Sequence, residues 1–376
     1  MSRRFAVILH HGLGDVICAL PALWAVDKAL RGAVQFDLVV KSELEAGVLE
    51  SVPWRGQVRV HTLRAAEGSS ALLRMTRALI SLRRTRPEVF ATPHVSSPRV
   101  AHLLADLVAA PLSVVTGSAG GTRRRGVERI LGEHKAQEYA RYFQAAEVPI
   151  DIEALEFPPL PSAILASRTE DDASIVIAPT VGAPAEQHKR WPESAFVDLV
   201  NQIALKMPCA SIELFAGPHE RPVLERICSA LVPLAQAKVV MTMPTTPVEA
   251  VRALRRANCV VTSCSGASHL AAWAGVPIVG IYGPTNPGYT GPFSRQLRVV
   301  RKGWACSPCY RPGFISGCGT PVCMTEIKPQ DVFNAVVATL KHEATTGAPV
   351  LATTRAMSPD RRQTLPRTST SIAGSR

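Results

Sequence analysis

Short apolar runs alternate with stretches of helical spacing along most of this chain. The first run, "RFAVIL", is followed by the turn "HHGLGD" and then by "VICALPALWAVDKALRG", whose apolar residues recur at helical intervals. The alternation continues to the Pro-rich stretch "FPPLPSAILASRTEDDA" and starts again at "SIVIAPT". A strand–helix–strand pattern of this kind favours a parallel sheet with helices on both faces. The sequence therefore predicts an α/β fold with two successive doubly wound, Rossmann-like halves.

The Pro-rich stretch is also polar, which makes it the best candidate for a linker between the two halves. We expect an N-terminal domain at residues 1–165 and a C-terminal domain at residues 170–342. A length of 376 residues fits two domains better than one. Residues 343–376 are rich in Thr, Ser, Pro and Arg and have few large apolar side chains, a composition that predicts a disordered tail.

The chain carries a formal net charge of +12. Part of this excess belongs to the tail, because five arginines and one aspartate lie between Ala344 and Arg376. The remainder suits a nucleic acid, a phosphorylated substrate or an anionic membrane surface, and charge alone does not choose among these partners. No nucleic-acid-reading motif accompanies the basic residues, so we expect no nucleic acid partner.

The start of the chain is not typical of a targeting segment. Its apolar part, Phe5–Leu9, is too short for the core of a signal peptide. No apolar run approaches the eighteen or so residues that a membrane span needs. These features predict a cytoplasmic protein.

Polar or Gly-rich stretches lie at the ends of the predicted strands. Ligands of open parallel sheets bind at the carboxyl ends of the strands, where loops lead into helices. The stretches that follow predicted strands in this way are "HHGLGD", "APTVGAPAEQHKRW", "AGPHE", "TSCSGASH" and "YGPTNP". We expect the functional site to be assembled from these loops.

In the first loop, Gly12, Gly14 and Asp15 do not form a dinucleotide fingerprint. The third glycine of that motif would fall at residue 17, which is Ile, and the loop lacks the Lys-Ser/Thr pair of a phosphate loop. Asp15 opens a helix, so it is either a helix cap or a carboxylate placed to take a proton from a substrate hydroxyl. The two roles are compatible.

The C-terminal half supplies candidates for binding an anion. A basic pair stands between a strand end and a helix start, a combination that attracts phosphate, although such a pair is more often a solvated face. Glu220 either completes a first helical turn or accepts a hydrogen bond from a ribose, and His269 is either a core histidine or a ligand-binding one. The candidates in this half are Lys189, Arg190, Glu220, Ser265, Gly266, Ser268 and His269.

Four of the nine cysteines are clustered in "CSPCYRPGFISGCGTPVC", namely Cys306, Cys309, Cys318 and Cys323. In a reducing compartment this spacing indicates either a tetrathiolate site for zinc or iron, or unligated thiols in an exposed loop. Because all four ligands would be protein side chains, a metal bound there would be structural.

The chain shows no D-x-D pair of the type that holds a metal-bound nucleotide-sugar. The nearest approach, "DIE" at 151–153, lies in the predicted linker. A diphosphate leaving group would then be neutralised by Lys189 and by the helix start at residues 265–268.

These motifs, in this order, resemble glycosyltransferase family 9, the ADP-heptose:lipopolysaccharide heptosyltransferases of Gram-negative bacteria. The matching stretches are "GLGDVICALPAL", "HKRWPESAF", "AGPHE" and "SGASHLAAWAGVPIVGIYGPTNPGYTGP", and the last is the most specific. The resemblance covers roughly residues 4–340. It implies a GT-B fold, in which two Rossmann-like domains face one another across a cleft, with the acceptor on the N-terminal side and the nucleotide-sugar on the C-terminal side.

The resemblance also implies roles for individual residues. Asp15 matches the catalytic base of the family, Lys189 the lysine on the donor phosphate, and Glu220 the acid that holds the ribose. Gly266, Ser268 and His269 match the turn that binds phosphate and sugar. Gly12 and Gly14 would then belong to the acceptor-side loop.

The reaction implied by the resemblance is an inverting transfer that requires no cofactor. Its partners would be an ADP-sugar and an anionic lipid-linked glycan, with peripheral contact between the protein and the inner membrane.

One departure from the family pattern concerns the donor sugar. Many members carry Asp immediately before the Ser/Thr-Gly pair, where this chain has Cys264. A thiol does not accept charge-assisted hydrogen bonds from hydroxyls as a carboxylate does, and losing one such contact costs about 1.5–3 kcal/mol. Two alternatives to heptose transfer therefore stay open: a related transferase with another donor or with a protein or glycan acceptor, and a non-catalytic nucleotide-sugar-binding protein.

Overall fold

Two six-stranded sheets, in which every strand is parallel to its neighbours, form the framework of the computed structural model. The structure describes residues 2–9, 12–63, 71–94, 97–118, 122–164, 174–179, 184–310, 318 and 321–346. Helices lie between most of the successive strands of each sheet. The predicted α/β fold with two doubly wound halves is confirmed.

The first half contains one sheet and the helices packed on it. Its strands are β1 Arg3–Leu9, β2 Val34–Val40, β3 Gln57–Thr62, β4 Val89–Thr92, β5 Leu112–Thr116 and β6 Arg124–Val127. Its helices are α1 Leu13–Ala29, α2 Glu43–Ser51, α3 Ala71–Thr85, α4 Pro98–Val108 and α5 Lys135–Ala145.

The second half repeats this plan. Its strands are β7 Ser174–Ala178, β8 Ser211–Phe215, β9 Val239–Thr242, β10 Cys259–Ser263, β11 Ile278–Ile281 and β12 Leu297–Val300. Its helices are α6 Glu193–Lys206, α7 Arg221–Ser229, α8 Pro233–Gln236, α9 Pro247–Arg255, α10 Gly266–Trp273, α11 Pro287–Thr290, α12 Val322–Thr325 and α13 Pro329–Thr346. Short 3₁₀ turns lie at Ser162–Ile164, Pro184–Lys189 and Pro218–Glu220.

The two sheets share one strand order. The first runs β3-β2-β1-β4-β5-β6, and the second, taken from its β9 edge, runs β9-β8-β7-β10-β11-β12. In each sheet the order reverses beside the first strand of the half, between β1 and β4 or between β7 and β10. Ligands of doubly wound folds bind in the crevice outside the carboxyl ends of the strands at such a point. Helix α1 follows β1 and helix α10 follows β10, so both begin at these crevices.

The central strands are apolar along their length because helices cover both of their faces. Residues Phe5–Leu9 of β1 are at most 1% exposed. Strand β10 is likewise buried throughout, including its polar residues Thr262 and Ser263. Continuous apolar runs of this kind are what made the strands recognisable in the sequence.

A single apolar core joins the first sheet to helices of the second half. Helix α1 contacts α10, and α2 contacts α9. The core includes Trp24 of α1 together with Leu270 and Trp273 of α10. The indole N–H of Trp273 also donates to the carbonyl of Pro158 in the connecting segment, at 3.3 Å. The halves are therefore packed together through side chains buried from water.

The C-terminal helix α13 packs on α6 and on the second sheet. It extends through Thr346, past residue 343 where the tail was predicted to begin. The rest of the predicted tail, residues 347–376, lies outside the described residues. Among the helices that the structure describes, none combines the length and apolar character needed to span a bilayer.

Candidate active site

The start of α1 packs directly against the start of α10, and two glycines make this approach possible. A Cβ atom on Gly14 would lie 2.8 Å from Cδ2 of His269, and one on Gly266 would lie 3.0 Å from Cδ2 of Leu13. By contrast, a Cβ on Gly12 would have no atom within 4 Å. Gly14 and Gly266, both candidate site residues in the sequence, therefore bring the two halves together.

Asp15 lies in the first turn of α1 and forms an ion pair with Lys135, the first residue of α5. Lys135 is buried, whereas about a quarter of the Asp15 side chain (26%) is exposed. Burial alone would lower the pKa of Lys135, but the Asp15 carboxylate outweighs it and the pKa is raised. The lysine is therefore charged, and the partly exposed carboxylate beside it is oriented by a buried cation.

Lys189 lies at the corresponding edge of the second half, at the end of the turn Pro184–Lys189. Its Nζ is 2.9 Å from Oε1 of Glu186 and 4.0 Å from the centroid of the Tyr310 ring. The side chain is only 7% exposed. Burial acts to lower its pKa, and the adjacent carboxylate of Glu186 opposes this shift. Lys189 is thus a buried cation held in place by one carboxylate and one aromatic ring.

Cys264, the residue that departs from the family pattern, is buried next to this lysine. Burial raises the pKa of its thiol, and the charge of Lys189 only partly opposes this. At neutral pH the group beside Lys189 is therefore a neutral thiol and not an anion.

His269 connects the two sides of the site. Its Nδ1 lies 3.4 Å from Sγ of Cys18 in α1. Burial lowers its pKa to about 3; the charge of Asp15 opposes this shift, while Lys135 and Lys189 add to it. The imidazole is neutral, and the charges of Asp15, Lys135 and Lys189 all act on it.

The two serines of this turn bond within it. The Ser268 hydroxyl donates to the carbonyl of Ser265 at 2.7 Å, and the Ser265 hydroxyl lies 3.1 Å from that of Thr262. Ser268 is fully buried. These bonds hold the start of α10 in one shape, so its backbone N–H groups are pre-arranged at the crevice.

Arg190 and Glu220 also have partners close by. Arg190 pairs with Glu193 at 3.8 Å, and Arg226 contacts the same carboxylate at 2.7 Å. Oε2 of Glu220 accepts the backbone N–H of Gly217 at 3.2 Å, just beyond β8. The neighbours Lys189 and Arg190 therefore interact with different carboxylates, and only Lys189 lies beside Cys264.

A buried polar cluster that the sequence did not reveal lies beside the Asp15–Lys135 pair. Glu138 of α5 is 3.3 Å from Nδ1 of His94 and accepts the hydroxyl of Tyr289 at 3.0 Å. Burial raises the pKa of Glu138, and the bond from Tyr289 partly opposes this. The guanidinium carbon of Arg129 lies 3.5 Å from the centroid of the Tyr289 ring. Since Tyr289 belongs to the second half, the cluster spans the crevice.

One signal in the sequence could have pointed to this cluster. Lys135 and Glu138 are three residues apart and so share a face of α5. His134, the N-cap of this helix, lies in the same region: its Nδ1 accepts the N–H of Ala136 at 3.1 Å, and its Nε2 is 3.0 Å from the carbonyl of Gly291. A Lys–Glu pair at this spacing is also common on solvated helix faces, so the signal is weak. The partners of both residues are also distant in sequence.

The four clustered cysteines do not form a metal site in the described part of the chain. Cys323 is buried and Cys306 and Cys318 are exposed. Burial raises the pKa of Cys323, and Cys309, Cys306 and Cys318 raise it further, so the four thiols share one region. No group of three or more ligating side chains in the described residues is arranged to hold a metal ion. The expected structural zinc or iron is therefore not supported.

Comparisons with known proteins agree with this architecture. Residues 133–316 match the model of "Glycosyltransferase family 9 (heptosyltransferase)". The chain is 27% identical to lipopolysaccharide heptosyltransferase 1 of Pseudomonas aeruginosa, over 90% of this chain and 98% of that protein.

Two solved structures are similar in fold. The E. coli ADP-heptose lps heptosyltransferase II superposes with a TM-score of 0.65 at 21% identity, covering 91% of this chain and 99% of that one. E. coli heptosyltransferase WaaC with ADP superposes with a TM-score of 0.64 at 20% identity, covering 89% and 99%. The two facing Rossmann-like sheets are thus the GT-B arrangement of these structures.

Proposed function

Since the chain is a heptosyltransferase-like protein of the glycosyltransferase family 9 type, we propose that it transfers heptose from ADP-heptose to a lipopolysaccharide core acceptor, with inversion at the anomeric carbon. The enzyme class rests on the family match and the relative described above. In this proposal residues 1–165 form the acceptor domain and residues 170–342 the donor domain.

Asp15 is the proposed catalytic base. The acceptor hydroxyl attacks the anomeric carbon, the bond from that carbon to the diphosphate oxygen breaks, and the hydroxyl proton moves to the carboxylate. The ion pair with Lys135 supports this role, because it fixes the orientation of the carboxylate. Gly12 and Gly14 precede it in the acceptor-side loop, where Gly12 has open space around it.

Charge on the departing ADP is proposed to be stabilised without a metal ion, by Lys189 and by the backbone N–H groups at the start of α10. A preorganised cation and a helix N-terminus are well suited to a diphosphate. Lys189 is charged and held by Glu186 and Tyr310, which supports this assignment. Arg190 would add to the positive potential from one residue away.

The rest of the donor site follows from the same turn and from the loop after β8. Ser265, Gly266 and Ser268 would shape the phosphate-binding start of α10, and neutral His269 would face the transferred sugar. Glu220 would accept a hydrogen bond from the ribose at the carboxyl end of β8. The single observation that carries the proposal is the direct packing of the start of α1, which bears Asp15, against His269 at the start of α10.

Cys264 makes a different donor sugar the main alternative. Its neutral thiol stands where many family members carry a carboxylate, so the contact proposed to order the donor sugar is weakened in this chain. An ADP-sugar other than ADP-heptose, or nucleotide-sugar binding without transfer, would follow if that contact were essential.

The remaining partners are proposed from the same family similarity. The acceptor would be an anionic, lipid-linked glycan at the cytoplasmic face of the inner membrane, where a cytoplasmic protein of this charge would be peripheral. No cofactor is proposed for the reaction, so turnover should survive exhaustive chelation. Chelation of zinc or iron at the four cysteines would lower thermal stability without abolishing transfer if a structural metal were present.

A donor screen tests the function directly. ADP-heptose, other ADP-sugars, UDP-sugars and GDP-sugars are compared by calorimetry for binding and by product analysis for transfer to a purified core acceptor. We expect ADP-heptose to bind and to be transferred, with an anomeric configuration in the product opposite to that of the donor. Transfer of another sugar, or ADP binding with no transfer of any sugar, would establish one of the two alternatives.

A further inference from the structure

Helix α4 exposes an apolar stripe on the side facing away from the first sheet. Its inward side chains, among them Ala101 and Leu104, pack into the core. Its outward side chains Val100, Leu103 and Leu107 are 46%, 57% and 45% exposed. A surface helix normally carries polar residues on its outer face, so an apolar outer stripe indicates an interaction surface.

The neighbouring helix α3 borders this stripe with positive charge. The two helices pack against one another, and Nη1 of Arg83 lies 3.4 Å from the carbonyl of Leu107. Ile80 of α3 is 47% exposed and stands between exposed Arg77 and Arg84, which lie three and four residues away on the same face. The surface therefore combines an apolar centre with a basic margin.

An arginine-lined cavity lies where α3 and α4 end. Its volume is about 410 Å³, and its walls include Arg4, Arg83 and Arg86 together with Val108. A carboxylate also lines it: Glu88, whose Oε1 is 3.8 Å from Nε of Arg4. Three guanidinium groups around one cavity favour a phosphate-bearing ligand.

We propose that this face, defined by α3, α4 and the arginine-lined cavity, docks on an anionic phospholipid bilayer. The α4 stripe would enter the headgroup–acyl boundary, and the cavity would receive a lipid phosphate. Interfacial membrane contacts combine apolar side chains with flanking arginines, and the negative charge of anionic lipids attracts the arginines of the basic margin. Helix α4 follows β4 and so begins at the edge of the sheet that bears Asp15, whereas the cavity lies at the opposite edge, beside the starts of β1 and β4.

The inference rests on the proposed function only in expecting a lipid-linked acceptor; the lipid contact itself does not depend on which sugar is transferred. The test is co-sedimentation of the full chain with vesicles of phosphatidylcholine alone and with phosphatidylglycerol added. We expect binding to the anionic vesicles, weaker binding to the neutral ones, and a loss of binding as salt is raised.

Two variants separate the parts of the surface. The double substitution Leu103→Gln with Leu107→Gln should lower partitioning into anionic vesicles at least about 10-fold, since each exposed leucine contributes apolar area at the interface. The double substitution Arg83→Gln with Arg86→Gln should flatten the salt dependence. Leu205→Gln in α6, where the leucine is 69% exposed in the other half, is the matched control and should bind like the wild type.

Three outcomes would overturn the inference: no binding of the wild type to anionic vesicles, equal binding of the Leu103/Leu107 and Leu205 variants, or a wild-type dimer that the leucine substitutions dissociate without vesicle binding. Transfer to a delipidated, soluble acceptor is measured on the same proteins. If vesicle binding fails while this transfer proceeds in all of them, only the docking surface is wrong. If transfer fails in all of them while vesicles bind, only the proposed function is wrong.

Discussion

The two halves share a topology, and each places a buried lysine at the crevice, but the groups around the two lysines differ. Lys135 lies near two carboxyl groups, Asp15 and Glu138. Lys189 lies near one, Glu186, and near the thiol of Cys264, which burial keeps neutral. We refer to the side of the crevice with Lys135, which has two carboxyl groups beside it, as the acidic wall. The side with Lys189, which has one carboxylate and a neutral thiol beside it, is the basic wall. One fold supports these different surroundings because the charged side chains come from the helices and turns that flank the sheets and not from the strands.

Replacing Asp15 with Asn tests the acidic wall most severely. Loss of a positioned general base should slow transfer by about 10²–10⁴-fold. ADP binding, measured by calorimetry, should change little, because the donor is proposed to bind the other wall. Glu43→Gln removes an exposed first-turn carboxylate from α2 and is the matched control, with full activity expected. Transfer by the Asp15→Asn variant at the wild-type rate would remove the distinction between the walls.

Replacing Lys189 with Met tests the basic wall. The variant loses the cation beside the proposed diphosphate, so we expect weaker ADP binding and slower transfer, each by roughly 10–100-fold. Lys206→Met, at the exposed end of α6, is the control and should leave both values unchanged. A change in the rate without a change in ADP affinity would place Lys189 outside the donor site.

Changing Cys264 to Asp gives the basic wall a second acid and so makes it more like the acidic wall. A carboxylate there would accept hydrogen bonds from sugar hydroxyls, worth about 1.5–3 kcal/mol. The ratio of kcat/KM between ADP-heptose and another ADP-sugar should shift by about 10-fold or more, which competition assays measure. Cys264→Ser keeps the position neutral and should leave the ratio near that of the wild type. Equal kcat/KM ratios in the Asp and Ser variants would show that residue 264 does not determine the choice of donor sugar.

Gly14 and Gly12 differ in their surroundings although they are two residues apart. An Ala side chain at residue 14 would clash with His269, and overpacking of this kind costs about 1–3 kcal/mol. An Ala at residue 12 meets no atom within 4 Å. Denaturant unfolding of Gly14→Ala and Gly12→Ala should therefore separate them, with the larger loss at residue 14. Similar losses would mean that the halves tolerate separation at this contact.

Each half also buries one neutral imidazole, and acid should destabilise both. Burial lowers the pKa of His134 to about 4 and that of His269 to about 3, from an ordinary value of 6.5. Above pH 6.5 the neutral histidines make their full contribution to the free energy of unfolding. This contribution is lost as the pH falls toward the pKa values of the folded state, because the unfolded chain takes up the protons first. At about pH 5.5 the loss should be roughly 1 kcal/mol for each histidine.

Unfolding free energies at about pH 7.5 and about pH 5.5 measure this loss. His269→Gln should reduce the difference between the two pH values, while exposed His219→Gln should not. An unchanged difference in the His269 variant would mean that this imidazole is not the group responsible.

The sequence predicted the sheets well and the site only in part. Buried parallel strands are continuous apolar runs, so β1 and β10 are visible without any partner. Asp15 and His269 were predicted as site residues because loops at strand ends converge in this topology, and the structure places the helix starts that bear them in contact. The Asp15–Lys135 pair and the Glu138–Tyr289 bond were missed, since each joins residues more than a hundred positions apart. Gly14 and Gly266 were predicted only as members of binding loops, and the contact of each with a helix of the other half was not predicted.

The shared core between α1 and α10 constrains how the molecule moves. A hinge opening wide enough to separate Asp15 from Lys189 would break the contact between Gly14 and His269 and would expose Trp273 and its neighbours to water. Closely packed helices of this kind move by small sliding displacements along one another and not by swinging apart. Substrates would then enter a groove that is already assembled, and the motion of the two halves during turnover would be limited to sliding of α1 along α10.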